Sequence, residues 1–180
     1  MTGNHPSLIE RLAIRIEDVL MTRLVPIHDP GPVFKWLFKI PILFYRSGLP
    51  LFGNFILLLK TTGRKSGKKR YTPLEYRLDE TTGNFIVMAG WGGRTDWYLN
   101  ACRNPCVHVQ AGRRKFYARA EKLEDEQVAQ WLYHVVQVNR RSLKIWSRWA
   151  GEELDGTFEG LLRAAKHFPS LRLKPMEISR

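Results

Sequence analysis

The chain has 180 residues, 44% of them apolar, and its 29 Lys and Arg against 17 Asp and Glu give a net charge of +12. That length and apolar content suit one domain with a real core, and the charge favours polyanions or an anionic membrane surface as contacts. The two cysteines, Cys102 and Cys106, exclude a disulfide framework and are spaced too widely for a C-x-x-C unit, so they read as reduced thiols in a cytoplasmic protein.

The N-terminus lacks the basic-then-apolar layout of a signal peptide. Ser7 and Glu10 fit a capping box, and Ile9, Leu12, Ala13, Ile16 and Leu20 then recur at helical spacing. That helix ends before Pro26. His28-Asp29-Pro30-Gly31-Pro32 reads as a hinge loop. It divides the chain into a helical extension over 1–32 and a main domain over 33–180. Segment 33–60 is apolar, but Lys35, Lys39, Pro41, Arg46, Gly48 and Pro50 interrupt it, so it holds no run of the ~18 residues that a membrane span requires. Phe34, Trp36, Leu37, Phe38 and Ile40 beside Lys35 and Lys39 fit two readings: a helix packed over one end of the main domain, or a segment lying at a membrane surface.

Residues 56–59 form a continuous apolar run, the pattern of a buried strand. A second strand follows in which Leu74, Tyr76 and Leu78 alternate with Glu75 and Arg77. Between them lies a turn through Gly63, Arg64, Lys65, Ser66 and Gly67. Lys60, Arg64, Lys65, Lys68, Lys69 and Arg70 fall here with no acid among them. The glycines would let backbone N–H groups approach a ligand, and Thr61, Thr62 and Ser66 add hydroxyls. Such a tip suits a phosphate. The competing reading is a solvated turn.

Downstream, 79–83 reads as a turn and 84–89 as a strand. Phe85, Val87 and Ala89 share one face, Ile86 and Met88 the other, so both faces are expected to be buried. Gly90-Trp91-Gly92-Gly93 is too glycine-rich for a strand and is expected to bring backbone against a ligand. Thr95 or Asp96 can cap a helix over 97–103, closed by Asn104-Pro105. Strands follow at 106–110, with Val107 and Val109 inward, and at 115–122, with Phe116, Ala118 and Ala120 on one face. Acids at 124–126 open a helix whose buried stripe is Val128, Trp131, Leu132 and Val135. Arg140, Arg141, Lys144 and Arg148 then alternate with Leu143, Ile145, Trp146 and Trp149. A loop over 151–156, a short helix over 158–166 and a strand over 169–175 complete the pattern.

No hydrolytic or metal-binding constellation stands out. The five histidines are scattered, and His108, alternating with Val107 and Val109, reads as an ordinary surface histidine. No G-x-S-x-G elbow and no G-x-G-x-x-G after a strand are present. What remains is redox chemistry carried by a bound cofactor, with the protein supplying position and electrostatics.

LLLKTTGRKSGKKRYTPLEY at 57–76 and GWGGRTDWYLNACRNPCVHVQAGRRKFYARAEKL at 90–123 resemble hallmark segments of the deazaflavin-dependent nitroreductase family, the split-barrel flavin and deazaflavin oxidoreductases. The resemblance spans 34–176 and is strongest in the hairpin. It implies an α+β, mainly antiparallel split β-barrel with flanking helices, and coenzyme F-420, with FMN as the alternative. It also implies hydride transfer between reduced F-420 and an organic acceptor, a quinone or nitro compound. Arg64, Lys65, Ser66, Lys68, Lys69 and Arg70 would hold the phosphate and glutamate tail, with Lys60, Thr62, Gly67 and Pro73 beside them. Gly90, Trp91, Gly92 and Gly93 would wall the ring, with Trp97 and Asn100 behind and Met88 and Ala89 beneath. Tyr133, Trp146 and Trp149 would line the acceptor pocket, and Tyr133 is the candidate proton donor. Two departures stand out: the nitroreductase branch has a proline where this chain has Asp96, and its tyrosine-rich late segment is here Tyr133, Trp146 and Trp149. Expected partners are a small-molecule acceptor, a second copy of the chain and a peripheral membrane surface. A basic module for single-stranded nucleic acid is the rival from another class, but no helix-turn-helix, RNP-like strand or zinc finger appears.

Overall fold

A computed structural model describes residues 40–46, 56–79, 81–90 and 93–176. The capping box and helix expected over 7–25, the hinge at 28–32, the aromatic residues 34–38, and Trp91 and Gly92 lie outside the described residues. The described elements are α1 (Ile40–Arg46), β1 (Ile56–Thr62), β2 (Lys69–Glu75), β3 (Arg77–Asp79), β4 (Asn84–Met88), α2 (Asp96–Arg103), β5 (Cys106–Ala111), β6 (Arg114–Lys122), α3 (Asp125–Val138), α4 (Ser142–Ala150), α5 (Phe158–Ala165) and β7 (Ser170–Pro175).

The strands pair in the order β2-β1-β5-β6-β7-β4-β3, antiparallel throughout. The sheet curls until β2 approaches β4, and Tyr76 meets Phe85 with ring centroids 5.2 Å apart. This is a split β-barrel, the architecture expected. Alternation decides what fills it: Leu57 and Leu59 from β1, Val107 and Val109 from β5, Ala118 and Ala120 from β6, and Leu171 and Leu173 from β7 all point inward and are buried. Each buried leucine or valine side chain is worth roughly 1.5–3 kcal/mol relative to exposure. α2 closes one mouth, inserting Trp97 and Ala101 into the same core. α1 packs on β2, where buried Tyr45 donates its hydroxyl to the Ile56 carbonyl.

A second core lies on the other side of β4. Phe85 and Val87 face the barrel, while Ile86 and Met88 pack against Val128, Leu132, Val136, Leu161, Ala164 and Phe168 from α3, α5 and the turn after α5. The two-faced burial read from 84–89 is therefore real, with a helical layer on the second face. The α3 start is a true capping box, Glu124 and Gln127 bonding each other's backbone.

One strand differs from expectation. The sequence reads as one strand through Leu78, but the chain breaks at Tyr76. β2 pairs with β1, whereas β3 pairs with β4 at the opposite sheet edge. The alternation fails with it: Leu78 is exposed, because β3 starts a new wall of the barrel rather than continuing the old one. Pro73 sits within β2, which tolerates it as an edge strand needing no outward N–H partner.

Candidate functional site

The hairpin tip is built by two backbone bonds. Gly63 N–H donates to the Lys68 carbonyl at 2.8 Å, and Gly67 N–H donates to the Gly63 carbonyl at 2.8 Å. Gly67 takes φ of 64°, left-handed, which glycine adopts without strain. A side chain on Gly63 would meet Ser66 Oγ at 2.8 Å and the Lys68 carbonyl at 3.3 Å. The glycine amides are thus consumed within the turn instead of being offered to a ligand.

α2 holds the tip in place. Its buried positions Trp97, Asn100 and Ala101 recur at helical spacing, so Asn100 faces inward toward the hairpin. The Asn100 side-chain oxygen accepts from Arg64 N–H at 2.9 Å and from Arg64 Nη1 at 3.1 Å. Arg64 Nη1 also pairs with Asp96 Oδ1 at 2.7 Å. One turn further on, Asn104 Nδ2 donates to the Thr62 carbonyl at 3.3 Å. Arg64 is therefore a tip anchor. Asp96, the residue that departs from the nitroreductase branch, is its ion-pair partner. The sequence alone gave no signal of that pairing, which spans the chain from tip to helix.

The expected basic cradle is divided between two faces of the β1–β2 ribbon. Arg70 opposes Thr61, which is buried and inward, so Arg70 belongs to the side of the barrel mouth. Lys69, Tyr71 and Pro73 alternate with it and share the outer face with Leu58, Lys60 and Thr62. Lys69 Nζ donates to Thr62 Oγ1 at 2.8 Å. Lys60 lies over the Tyr71 ring, 5.7 Å from its centroid. Lys65, Ser66 and Lys68 are exposed at the tip itself. Among the described residues no acid pairs with Lys65 or Lys68.

Around the glycine loop, Gly90 is half-buried, and a side chain there would meet nothing within 4 Å. Gly93 has φ of 73°, and a Cβ would sit 2.9 Å from Pro169 Cγ and 3.4 Å from the Tyr98 ring. Its glycine requirement comes from packing inside the protein. Ala89 is buried in the barrel core and donates its N–H to the Pro169 carbonyl, while Met88 faces the helical layer. Trp97 is a barrel-core residue, edge-on to Tyr98 at 5.9 Å. Burial, and then Cys102 beside it, push the Tyr98 phenol up to about 12, so it stays protonated at neutral pH. Two buried hydroxyls, Thr61 Oγ1 and Thr95 Oγ1, have no hydrogen-bond partner among the described residues. The first is on the cross-strand neighbour of Arg70, and the second stands at the N-cap of α2 without capping it.

The aromatic residues expected to line an acceptor pocket do not form one wall. Trp146 is buried in the helical core against Trp131 and Phe168, at 6.1 and 6.3 Å, so its ring is structural. Trp149 packs on the same core. Tyr133 is exposed on α3, edge-on to Phe158 at 6.3 Å. The hydrophobic stripe of α4 aims its tryptophans at the helical layer, and that direction could not be read without knowing what α4 packs on. His108 also differs from its reading: it is half-buried in an outer-face cleft of about 190 Å³ with Leu58, Lys60, Tyr71, Gln110 and Lys115. Burial, then Lys60 and Lys115, hold its imidazole below the usual range. No group of three or more potential metal ligands occurs among the described residues. No helix among them is long and apolar enough to cross a membrane.

Comparison with known proteins places these features. The profile of the F420H(2)-dependent quinone reductase family matches residues 45–147, more than half of the chain, a span that includes the tip, the glycine loop and α2. Rv3178 of Mycobacterium tuberculosis is 38% identical over 79 residues, 42% of this chain and 65% of that relative. The F420H(2)-dependent quinone reductase Rv1261c of the same organism is 34% identical over 71 residues, 38% of this chain and 46% of its own length. The chain thus spans from about half to just under two thirds of the length of these curated relatives. A solved structure described as an F420-H2 dependent reductase (FDR-A) is 30% identical and covers 66% of this chain and 93% of its own, with a TM-score of 0.46. By the extent of the profile match, the chain belongs to the F420H(2)-dependent quinone reductase family.

Proposed function

We propose that the chain is an oxidoreductase that moves a hydride between reduced coenzyme F-420 and an organic acceptor of the quinone or nitro-compound class. The observation that carries this reading is the tip: Asn100 fixes its shape from within, so that Lys65, Ser66 and Lys68 face solvent without an acidic partner among the described residues. The residues present fit a phosphorylated planar cofactor. The hydroxyls of Thr61 and Thr95 lack a partner among the described residues, which a polar group of a ligand would supply, and a side chain on Gly90 would meet nothing within 4 Å among them.

A bound deazaflavin supplies the hydride chemistry at its ring carbon. The chain's own residues bind and orient. Lys65, Lys68 and Arg70 offset phosphate charge, while Arg64, tied to Asp96 and Asn100, keeps the tip in register with α2. A proton reaches the acceptor from solvent or from exposed Tyr133. Apolar quinones concentrate in membranes, and Leu43 on α1 is 68% exposed. Reversible contact of segment 33–46 with anionic lipid belongs to the same reading. Pelleting with anionic but not neutral liposomes would support that contact, and absence from both pellets would remove it.

The test of the main reading is an absorbance spectrum of the protein after mixing with F-420, or separately with FMN, and removing free ligand. F-420 retention supports the proposal; retention of FMN alone replaces the cofactor. Lys65→Ala with Lys68→Ala should then weaken F-420 binding at least about tenfold, the low end for two charge-assisted contacts of roughly 1.5–3 kcal/mol each once solvent screening is allowed for. Unchanged affinity in that variant would return the tip to the status of a solvated turn.

A further inference from the structure

The outer face of the β2-β1-β5-β6 sheet carries an arrangement that the tip and the glycine loop do not use. The strand registers align two cross-strand rows there, Tyr71–Lys60–His108–Tyr117 and Pro73–Leu58–Gln110–Lys115. The cleft of about 190 Å³ lies across both rows. Leu58, 4% exposed, forms its floor. Gln110, 9% exposed as a whole residue, lines the cleft, and its side chain has no hydrogen-bond partner among the described residues. Lys60 and Lys115 line the opening, no acid does, and His108 stands edge-on to Tyr117 at 5.3 Å. The amide is not one of the buried unpartnered polar atoms, so water reaches it in the cleft, where it is free to donate to a ligand oxygen beside the two cations.

We propose that this cleft is a second anion site that takes a small phosphomonoester, with Lys60 and Lys115 clamping the phosphate and the Gln110 amide donating from below. Charge selects the phosphate. His108 is held neutral by burial and by the two lysines, leaving two positive charges, and a phosphomonoester carries about −1.5 to −2 at pH 7 with three strong acceptor oxygens. Volume sets the size. At roughly 30 Å³ per water, the cleft equals about six waters, enough for a phosphate with a short organic stem. The site is separate from the tip, because Lys60 and His108 point away from the face that carries Thr61 and Arg70.

His108 reports occupancy. The groups facing it are Lys60 from β1, Tyr71 from β2, Gln110 on its own strand, and Lys115 and Tyr117 from β6. A bound dianion reverses the repulsion from the two lysines, so the imidazole should hold its proton more tightly. The experiment follows the imidazole proton resonances of the full chain against pH in inorganic phosphate and in chloride at equal ionic strength, with His108→Gln assigning the signal. The expected result is a His108 midpoint higher in phosphate by on the order of one unit. Glycerol 3-phosphate should reproduce the shift. Lys115→Gln, an exposed position, should abolish it, and Lys65→Ala with Lys68→Ala should leave it intact. Identical titrations in the two salts, or a shift that survives Lys115→Gln, would overturn the assignment. Loss of the shift in the tip variant alone would assign the effect to the tip and overturn it equally.

Discussion

Asn100→Ala tests whether the tip is held from α2. Asn100 is 3% exposed and accepts from Arg64 N–H at 2.9 Å and Arg64 Nη1 at 3.1 Å. Truncation strands a part-buried backbone N–H, at about 1–3 kcal/mol. The guanidinium loses less, because Asp96 Oδ1 remains at 2.7 Å. The sum is roughly 2–3 kcal/mol with the small void included, which for a chain of this size lowers the melting temperature by about 4–12 °C. Asp96→Ala removes the other partner, but the Asp96 side chain is 85% exposed. Exposed ion pairs are worth at most about 1 kcal/mol. Asn100→Asp keeps an acceptor in the same place and should recover most of the loss. Thermal unfolding followed by circular dichroism ranks the three. If Asn100→Ala melts with wild type, or Asp96→Ala costs more than Asn100→Ala, the tip is not organised by the buried amide and the account of Arg64 as an anchor fails.

Gly93→Ala should destabilise by at least about 2 kcal/mol, since left-handed backbone alone costs roughly 1–2 kcal/mol for a residue with a Cβ and Pro169 stands 2.9 Å away. Gly90→Ala, with open space, should stay within about 1 kcal/mol. Melting temperatures in the reverse order would contradict the assignment of Gly93 to packing. Tyr98, pushed up to about 12 by burial and Cys102, favours folding in its neutral form. Its contribution is complete below pH 10 and is lost as pH rises through 10 to 12. Burial also raises the Tyr45 and Tyr76 phenols, so absorbance titration should show a group of late phenols whose last member Tyr98→Phe removes. An unchanged late phase in Tyr98→Phe would count against it.

Much of the barrel was legible because its strands obey local rules. Val107 and Val109 point into the barrel on alternate positions, Phe116, Ala118 and Ala120 share a face, and the glycine-bracketed tip sits where the apolar run of β1 ends. What escaped depended on partners distant in sequence. Tyr76 breaks the second strand because β4 offers a new edge, and nothing near Tyr76 announces that. The six cations of the hairpin read as one cluster, yet strand alternation sends Lys60 and Arg70 to opposite faces once the register is known. Asp96 looked like a departure from a motif and is instead the partner of Arg64, 32 residues away. Trp146 looked available because α4 is amphipathic with tryptophans on one side, and that side is the one the helical layer covers.

β7 lies between β6 and β4. The four strands β2-β1-β5-β6 and the pair β4-β3 are joined through it alone within the ladder order. Yet β7 is the last strand of the described residues, following three helices. During synthesis, every other wall emerges before the piece that seals it. Until residues 170–175 leave the ribosome, β6 and β4 each present an unpaired edge, and Phe85, Val87 and Ala120 face a gap that Leu171 and Leu173 will fill. Open edges beside apolar surface are where nascent chains associate wrongly. Slow passage through the helical segment would prolong that exposure, so the yield of folded protein should depend on how quickly the chain is completed as well as on how stable the finished barrel is.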